Sequence, residues 1–172
     1  QETESLALFQ GRSGGFLVNW PYTFAAVAGD KKLVKTLGWA RSPQTVQGKE
    51  SAPPFGGIQL GVGANSAHPD LAYEAAGCIT NQEHQTLYML KTGNPASRKK
   101  VYDDPKVKEG FPMAGLIRTS LDAAAPRPQT QYYGDVSTAI QQRFSPPDKV
   151  TADSPAQTQT FIKDVMKGEA LL

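Results

Sequence analysis

Residues 15–22 run Gly15-Phe16-Leu17-Val18-Asn19-Trp20-Pro21-Tyr22. The stretch is short, apolar and rich in β-branched and aromatic side chains, which reads as a buried strand. Pro21 fixes its end, because proline restricts the residue before it. Upstream, Ser5 to Gln10 reads as the end of a short helix with Leu6, Leu8 and Phe9 apolar, stopped by Gly11 and the Gly14-Gly15 pair. Downstream, Tyr22 to Ala28 has helical composition, Gly29-Asp30 is a turn and Leu33 to Leu37 is a second strand candidate. After the sharp loop Pro53-Pro54-Phe55-Gly56-Gly57, Ile58, Leu60 and Val62 alternate as a third strand should.

Helical signals dominate the rest. Pro69 stands at a first helical position with Asp70 beside it, and Leu71, Ala72, Ala75, Ala76 and Ile79 make an apolar face on which Cys78 is expected as a small core residue. His68 precedes this helix as a capping residue. Thr80 and Glu83 have capping-box spacing for the next helix, with His84 in its first turn, Leu87, Tyr88 and Leu90 inside and Gly93 as the stop. Asn94 to Pro105 reads as loop or a single turn, its basic Arg98-Lys99-Lys100 largely offset by Asp103-Asp104. Lys106 to Ala124 carries helical spacing at Met113, Leu116, Ile117 and Leu121, and Pro126-Arg127-Pro128 breaks it. Val136 to Phe144 is a further helix. Ser154-Pro155-Ala156-Gln157 opens the last one as a capping box, and that helix ends near Gly168.

The 172 residues hold 18 Lys and Arg against 16 Asp and Glu, a net charge of +2. That balance gives no electrostatic case for nucleic acid or a polybasic membrane contact. One cysteine forbids an intrachain disulfide and a multi-cysteine metal site, and two histidines in these positions lack ligand spacing, so no cofactor or metal is expected. No uncharged apolar run nears the ~20 residues that span a bilayer. Gly11-Arg12-Ser13-Gly14-Gly15 matches the G-x-S-x-G of a hydrolase elbow. The elbow needs strand, serine, helix, whereas the order here is helix then strand. Gly56-Gly57 and Gly61-x-Gly63 lack the third glycine or Gly-Lys-Ser/Thr of a phosphate cradle; they read as a tight loop or a close approach of backbone to a ligand.

Planar side chains are the remaining candidates. Trp20 and Tyr22 flank Pro21, Tyr132 and Tyr133 follow Arg127, and Asn19, Gln59 and Gln131 lie near them in sequence. Aromatic faces stack on the C–H face of a sugar ring, and Arg and Asn forks match vicinal hydroxyls. Each has a plainer alternative: Trp20 as core filler, Arg127 as half of a structural ion pair.

Five stretches occur in the order found in extracellular sugar-binding proteins of ABC importers, the maltose- and trehalose-binding group, which the chain resembles. They are Phe16 to Tyr22; Gly56-Gly57 leading into Ile58 to Gly63; Ala67-His68-Pro69-Asp70-Leu71-Ala72; Gly93-Asn94-Pro95-Ala96-Ser97-Arg98 through Pro105; and Arg127-Pro128-Gln129-Thr130-Gln131-Tyr132-Tyr133 leading into a helix. The resemblance covers most of residues 5–145, while 144–154 departs from it. It implies an α/β, type II periplasmic-binding-protein-like fold, present as a C-terminal portion that is helix-rich with few buried strands. Residues 1–52 would be part of the second lobe, 53–105 a return resembling the first, and 106–172 the closing helices of the second lobe and hinge. A lipidated N-terminus would lie outside the chain and be its one link to the membrane.

The resemblance also implies function. Trp20 would be the stacking platform with Tyr22 and Asn19 beside it; Gly56 and Gly57 would approach the sugar through backbone amides; Arg127 would bond hydroxyls beside Tyr132 or Tyr133. The expected protein is non-enzymatic and extracellular. Its partners are a mono- or disaccharide, held by hinge closure, and the permease subunits of an ABC transporter. The alternatives are a stand-alone α/β carbohydrate-binding or interaction module and, more distantly, a hydrolase using Ser13.

Overall fold

The computed structural model describes residues 2–11 and 14–172, so the Ser13 motif centre lies outside the described residues. The chain divides into two compact units, Gln1–Ala125 and Pro126–Leu172. The first carries α1 (Glu2–Gln10), α2 (Tyr22–Val27), α3 (Lys31–Thr36), α4 (Pro69–Ile79), α5 (Gln82–Thr92), a 3-10 turn at Lys99–Asp103, α6 (Pro105–Gly110) and α7 (Ala114–Asp122). The second carries α8 (Tyr133–Arg143), a 3-10 turn at Pro147–Lys149 and α9 (Ser154–Lys167).

The core of the first unit gathers Met89 from α5, Ala96, Val101 and Tyr102 around the 3-10 turn, Val107 from α6, Phe111 and Met113 from the link, and Ala114 and Ile117 from α7. Met89, Val101 and Val107 are fully enclosed. Tyr102 is buried as well, and its hydroxyl donates to the Ala96 carbonyl at 2.7 Å, so the phenol enters the core with its polar end satisfied. Phe24 of α2 packs on this core, 6.4 Å from Phe111 between ring centroids, and takes Trp39 edge-on at 5.8 Å.

Among the described residues no strand forms, which corrects the three strand expectations. In the first run Phe16 is 99% exposed and Val18 95%, and Ile58 is 82% exposed in the third. A strand needs a neighbouring ladder, and neither run has one here. At 33–37 a helix wins instead, because Asp30 caps it: its carboxylate accepts from the amides of Lys32 and Leu33, both at 3.0 Å. The remaining β feature is a parallel bridge between Pro54 and Ala125. Phe55 N donates to Ala125 O at 2.8 Å and Ala125 N to Pro53 O at 3.0 Å, so the missing amide of Pro54 is never called on.

Several helical details shift too. Pro69 does open α4 and Gly93 closes α5 with φ 76. Leu71 and Ile79 are nevertheless 62% and 60% exposed, and Cys78 is exposed rather than core. His68 occupies the N-cap of α4 without a side-chain bond. The cap of α5 is Asn81, not Thr80: its Oδ1 accepts from His84 N at 2.8 Å. The buried face of α5 is Met89, while Leu87 and Tyr88 stay about half exposed. The expected helix from Lys106 to Ala124 is two, parted where Phe111 turns into the core ahead of Pro112. In the second unit α8 packs on α9, Ala139 is enclosed, and Arg143 lies over the Phe161 ring at 4.3 Å. Ser154 is the first residue of α9 rather than its cap; its hydroxyl accepts from Thr151 N at 2.9 Å.

The chain exposes 12804 Å² in a mass of 18.5 kDa. A compact monomer of that mass exposes roughly 8200 Å², and counting the two units as separate bodies raises the expectation only to roughly 9700 Å². Apolar side chains such as Phe16, Val18, Ile58, Leu60, Leu71 and Ile79 are among those exposed.

Candidate functional site

Trp20 sits on a turn held from three sides. On its N-terminal side, Asn19 Nδ2 donates to the Glu2 carbonyl at 2.8 Å and to Ser5 Oγ at 3.3 Å, fastening the turn to the first two turns of α1. Asn19 Oδ1 accepts from Trp20 N at 2.7 Å. On the C-terminal side the Trp20 carbonyl accepts from Thr23 N at 3.2 Å and Thr23 Oγ1 at 3.0 Å, and Phe24 N donates to Pro21 O at 3.0 Å, starting α2. From the core side comes Gly93, where a Cβ would stand 2.8 Å from Tyr22 Cα. Backbone can approach that closely only where the neighbour has no side chain.

The result is an indole 43% exposed on a fixed backbone, with Tyr22 partly buried beside it. The ring is not enclosed in the core. A rigid, partly open aromatic face can stack on a flat apolar surface with little loss of conformational entropy.

Gly56 and Gly57 follow the Pro54–Ala125 bridge on exposed, irregular backbone; a Cβ on Gly57 would meet nothing within 4 Å. The backbone just before them is anchored by the bond of Phe55 N to Ala125 O. Arg127, Tyr132 and Tyr133 belong to the second unit. Tyr132 is the N-cap of α8, 36% exposed, Tyr133 is its partly buried first residue, and Arg127 is exposed on the segment leading to them. The first group and the second are thus each ordered locally, in separate units.

Two pockets lie elsewhere. One of about 210 Å³ in the first unit is lined by Phe55, Ser97, Lys99, Tyr102, Arg118, Leu121 and Asp122. Its rim is an ion-pair chain: Lys99 Nζ stands 2.6 Å from Asp122, Arg118 Nη1 2.8 Å from Asp103. The hydrogen bond from Lys99, with the charges of Lys99 and Arg118, holds the Asp122 carboxyl below the usual carboxylate range. Burial pushes the Tyr102 phenol up to about 12 against the opposing effect of its bond to Ala96. The other pocket, about 420 Å³ and apolar, lies between α8 and α9 along Ile140, Phe144, Pro155, Thr158 and Ile162. Neither is lined by a residue expected to bind a ligand, though Phe55 adjoins Gly56. No group of three or more metal-binding side chains occurs among the described residues, and no helix there is long and apolar enough to cross a membrane.

Sequence reasoning found the Trp20 turn but missed its braces. Gly93 carried only a stop signal for α5, and Glu2 and Ser5 carried none, because their partners are distant in sequence.

No protein-family model matches the chain. It is 29% identical over 162 residues to a probable ABC transporter-binding protein of Deinococcus radiodurans, a match covering 90% of this chain and 38% of that one. Among solved structures it is similar to maltose-bound MalE3 of T. maritima, with a TM-score of 0.76 and 27% identity over 96% of this chain and 44% of the other. The chain therefore spans about two fifths of the length of the proteins it matches. These likenesses show the resemblance drawn from the five ordered motifs: nearly the whole chain is similar to part of an ABC solute-binding protein, and the proteins it matches are binding proteins.

Proposed function

We propose that the chain is part of the carbohydrate-binding subunit of an ABC importer, which captures a disaccharide between two lobes and presents it to the membrane permease. The observation that carries the reading is the half-open Trp20 ring on its braced turn, in a chain matched along 96% of its length to a maltose-bound protein. In this reading Trp20 stacks on a sugar ring, Tyr22 supports it, and the amides of Gly56 and Gly57 approach from the other lobe. Arg127, Tyr132 and Tyr133 are assigned to sugar hydroxyls on the resemblance alone, as is the allocation of 1–52 and 106–172 to one lobe and 53–105 to the return. The core shared by α5, α6 and α7 bears on where the boundary near 105 falls.

The α/β architecture belongs to the same proposal. The exposed runs 15–20 and 57–63 would become strands by pairing with further protein, which also accounts for the excess surface and weighs against a stand-alone module. An extracellular or envelope location, a lipid anchor and non-enzymatic action follow from the family.

The test is calorimetric titration of the full-length parent protein with maltose, trehalose and their monosaccharides. Saturable binding is expected, weakened by about 1–3 kcal/mol in Trp20→Ala through lost burial and stacking. Absence of saturable binding to every mono- and disaccharide tried refutes the transport reading. Unchanged affinity in Trp20→Ala refutes the site.

A further inference from the structure

Asn19 is expected to touch the sugar, and its amide also ties the Trp20 turn to α1. An Asn side chain offers two N–H donors and one carbonyl acceptor with two lone pairs. The amide nitrogen donates to the Glu2 carbonyl at 2.8 Å and to Ser5 Oγ at 3.3 Å, two acceptors that lie on the same side of it. The acceptor already takes Trp20 N at 2.7 Å. The Glu2 carbonyl is shared with Ser5 Oγ at 2.9 Å, so Asn19, Ser5 and Glu2 close one small network at the start of α1. Turning the amide away from α1 would break this network.

We infer that Asn19 is a positioning residue: its amide clamps the Trp20 turn to α1 and fixes the attitude of the indole before any ligand arrives. The inference rests on the reading of Trp20 as the sugar platform for its biological meaning, but not for its geometry. The other side of the turn is held independently. Phe24 packs into the core and Gly93 lies against Tyr22, so loss of the Asn19 clamp frees the segment before Pro21 while leaving α2 in place. What the clamp supplies is order in the free protein, and binding to a pre-ordered ring forfeits less entropy.

The test uses Asn19→Ala and Asn19→Asp in a Trp39→Phe background, so that Trp20 is the single indole. Asp keeps the acceptor for Trp20 N and loses both donors. Without ligand, the Trp20 indole N–H resonance is expected to shift and broaden in both Asn19→Ala and Asn19→Asp, since both lose the N–H groups that reach α1. Tryptophan anisotropy should fall in both, while the methyl resonances of Met89, Val101 and Val107 stay put. Maltose affinity is then expected to fall about tenfold in Asn19→Ala, chiefly as a lost ordering advantage. An unchanged ligand-free Trp20 signal overturns the inference, and if maltose affinity still falls, Asn19 contacts the sugar itself. Equal shifts at Trp20 and at the core methyls also overturn it, since Asn19 would then hold the fold at large. Failure of the parent protein to bind maltose counts against the functional reading only; the ligand-free signal decides the clamp.

Discussion

Gly93 offers a sharp test of the packing behind the Trp20 turn, because it faces two separable demands. Its φ of +76 is left-handed, and a Cβ there would lie 2.8 Å from Tyr22 Cα and 3.2 Å from Ala25 Cβ. Gly48 faces the first demand alone: its φ is +79 and nothing lies within 4 Å of its Cβ position. Alanine in the left-handed region costs about 1–2 kcal/mol, offset by about 0.4–1 kcal/mol for the stiffer unfolded chain. Gly48→Ala should therefore destabilise by about 0.5–1 kcal/mol. Gly93→Ala adds an overpacking cost of about 1–3 kcal/mol, since the atom met is backbone and cannot swing aside. The assay is urea unfolding followed by tryptophan fluorescence, which reports the first unit because Trp20 and Trp39 both lie in it, with equal m-values as the check on two-state behaviour. Asparagine separates the terms further. It tolerates left-handed backbone, so Gly48→Asn should be near neutral while Gly93→Asn stays costly. If the two alanine variants fall within about 0.5 kcal/mol of each other, the close approach of α5 to α2 is not there.

Three other outcomes are expected. Met89→Ala should cost about 2–5 kcal/mol, because the side chain is fully enclosed between α5 and its neighbours, and urea melts would show it. Tyr102→Phe should cost about 1–3 kcal/mol by leaving the Ala96 carbonyl without its donor. The same phenol makes stability pH-dependent: burial raises its folded pKa to about 12 from the ordinary 10.0, so its contribution is whole below pH 10 and is lost as pH rises toward 12. Wild type should lose stability across that window more steeply than Tyr102→Phe, as read by denaturant melts at stepped pH.

Much of the helical part was legible in local chemistry. Pro69 and Pro155 stand at helix starts, Gly93 and Gly168 at left-handed ends, and each signal acts within one turn. What failed was non-local. The run Gly15 to Trp20 has strand composition, but a strand is defined by its partner, and no local pattern shows whether one is present. On α5 the residues Leu87, Tyr88, Met89 and Leu90 are consecutive and apolar, so spacing alone could not choose the face that α6 covers. Around the candidate site, residue type offered Trp20 as stacking platform or core filler, and the ring is partly exposed. It gave no sign that the Asn19 amide also reaches Glu2 and Ser5 of α1, which are distant in sequence.

The parallel bridge of Pro54 to Ala125 has a bearing on the order in which the first unit assembles. Its two ends are about 70 positions apart, so closing that loop costs roughly 4 kcal/mol of chain entropy, more than its two hydrogen bonds return by themselves. Inside the loop, α5, the 3-10 turn, α6 and α7 meet through contacts between near neighbours in sequence and can condense first. Once they have, most of the distance is already spanned, and the bridge closes as a late clasp. The exposed Gly56-Gly57 backbone beyond it is then among the last parts of this unit expected to take its place.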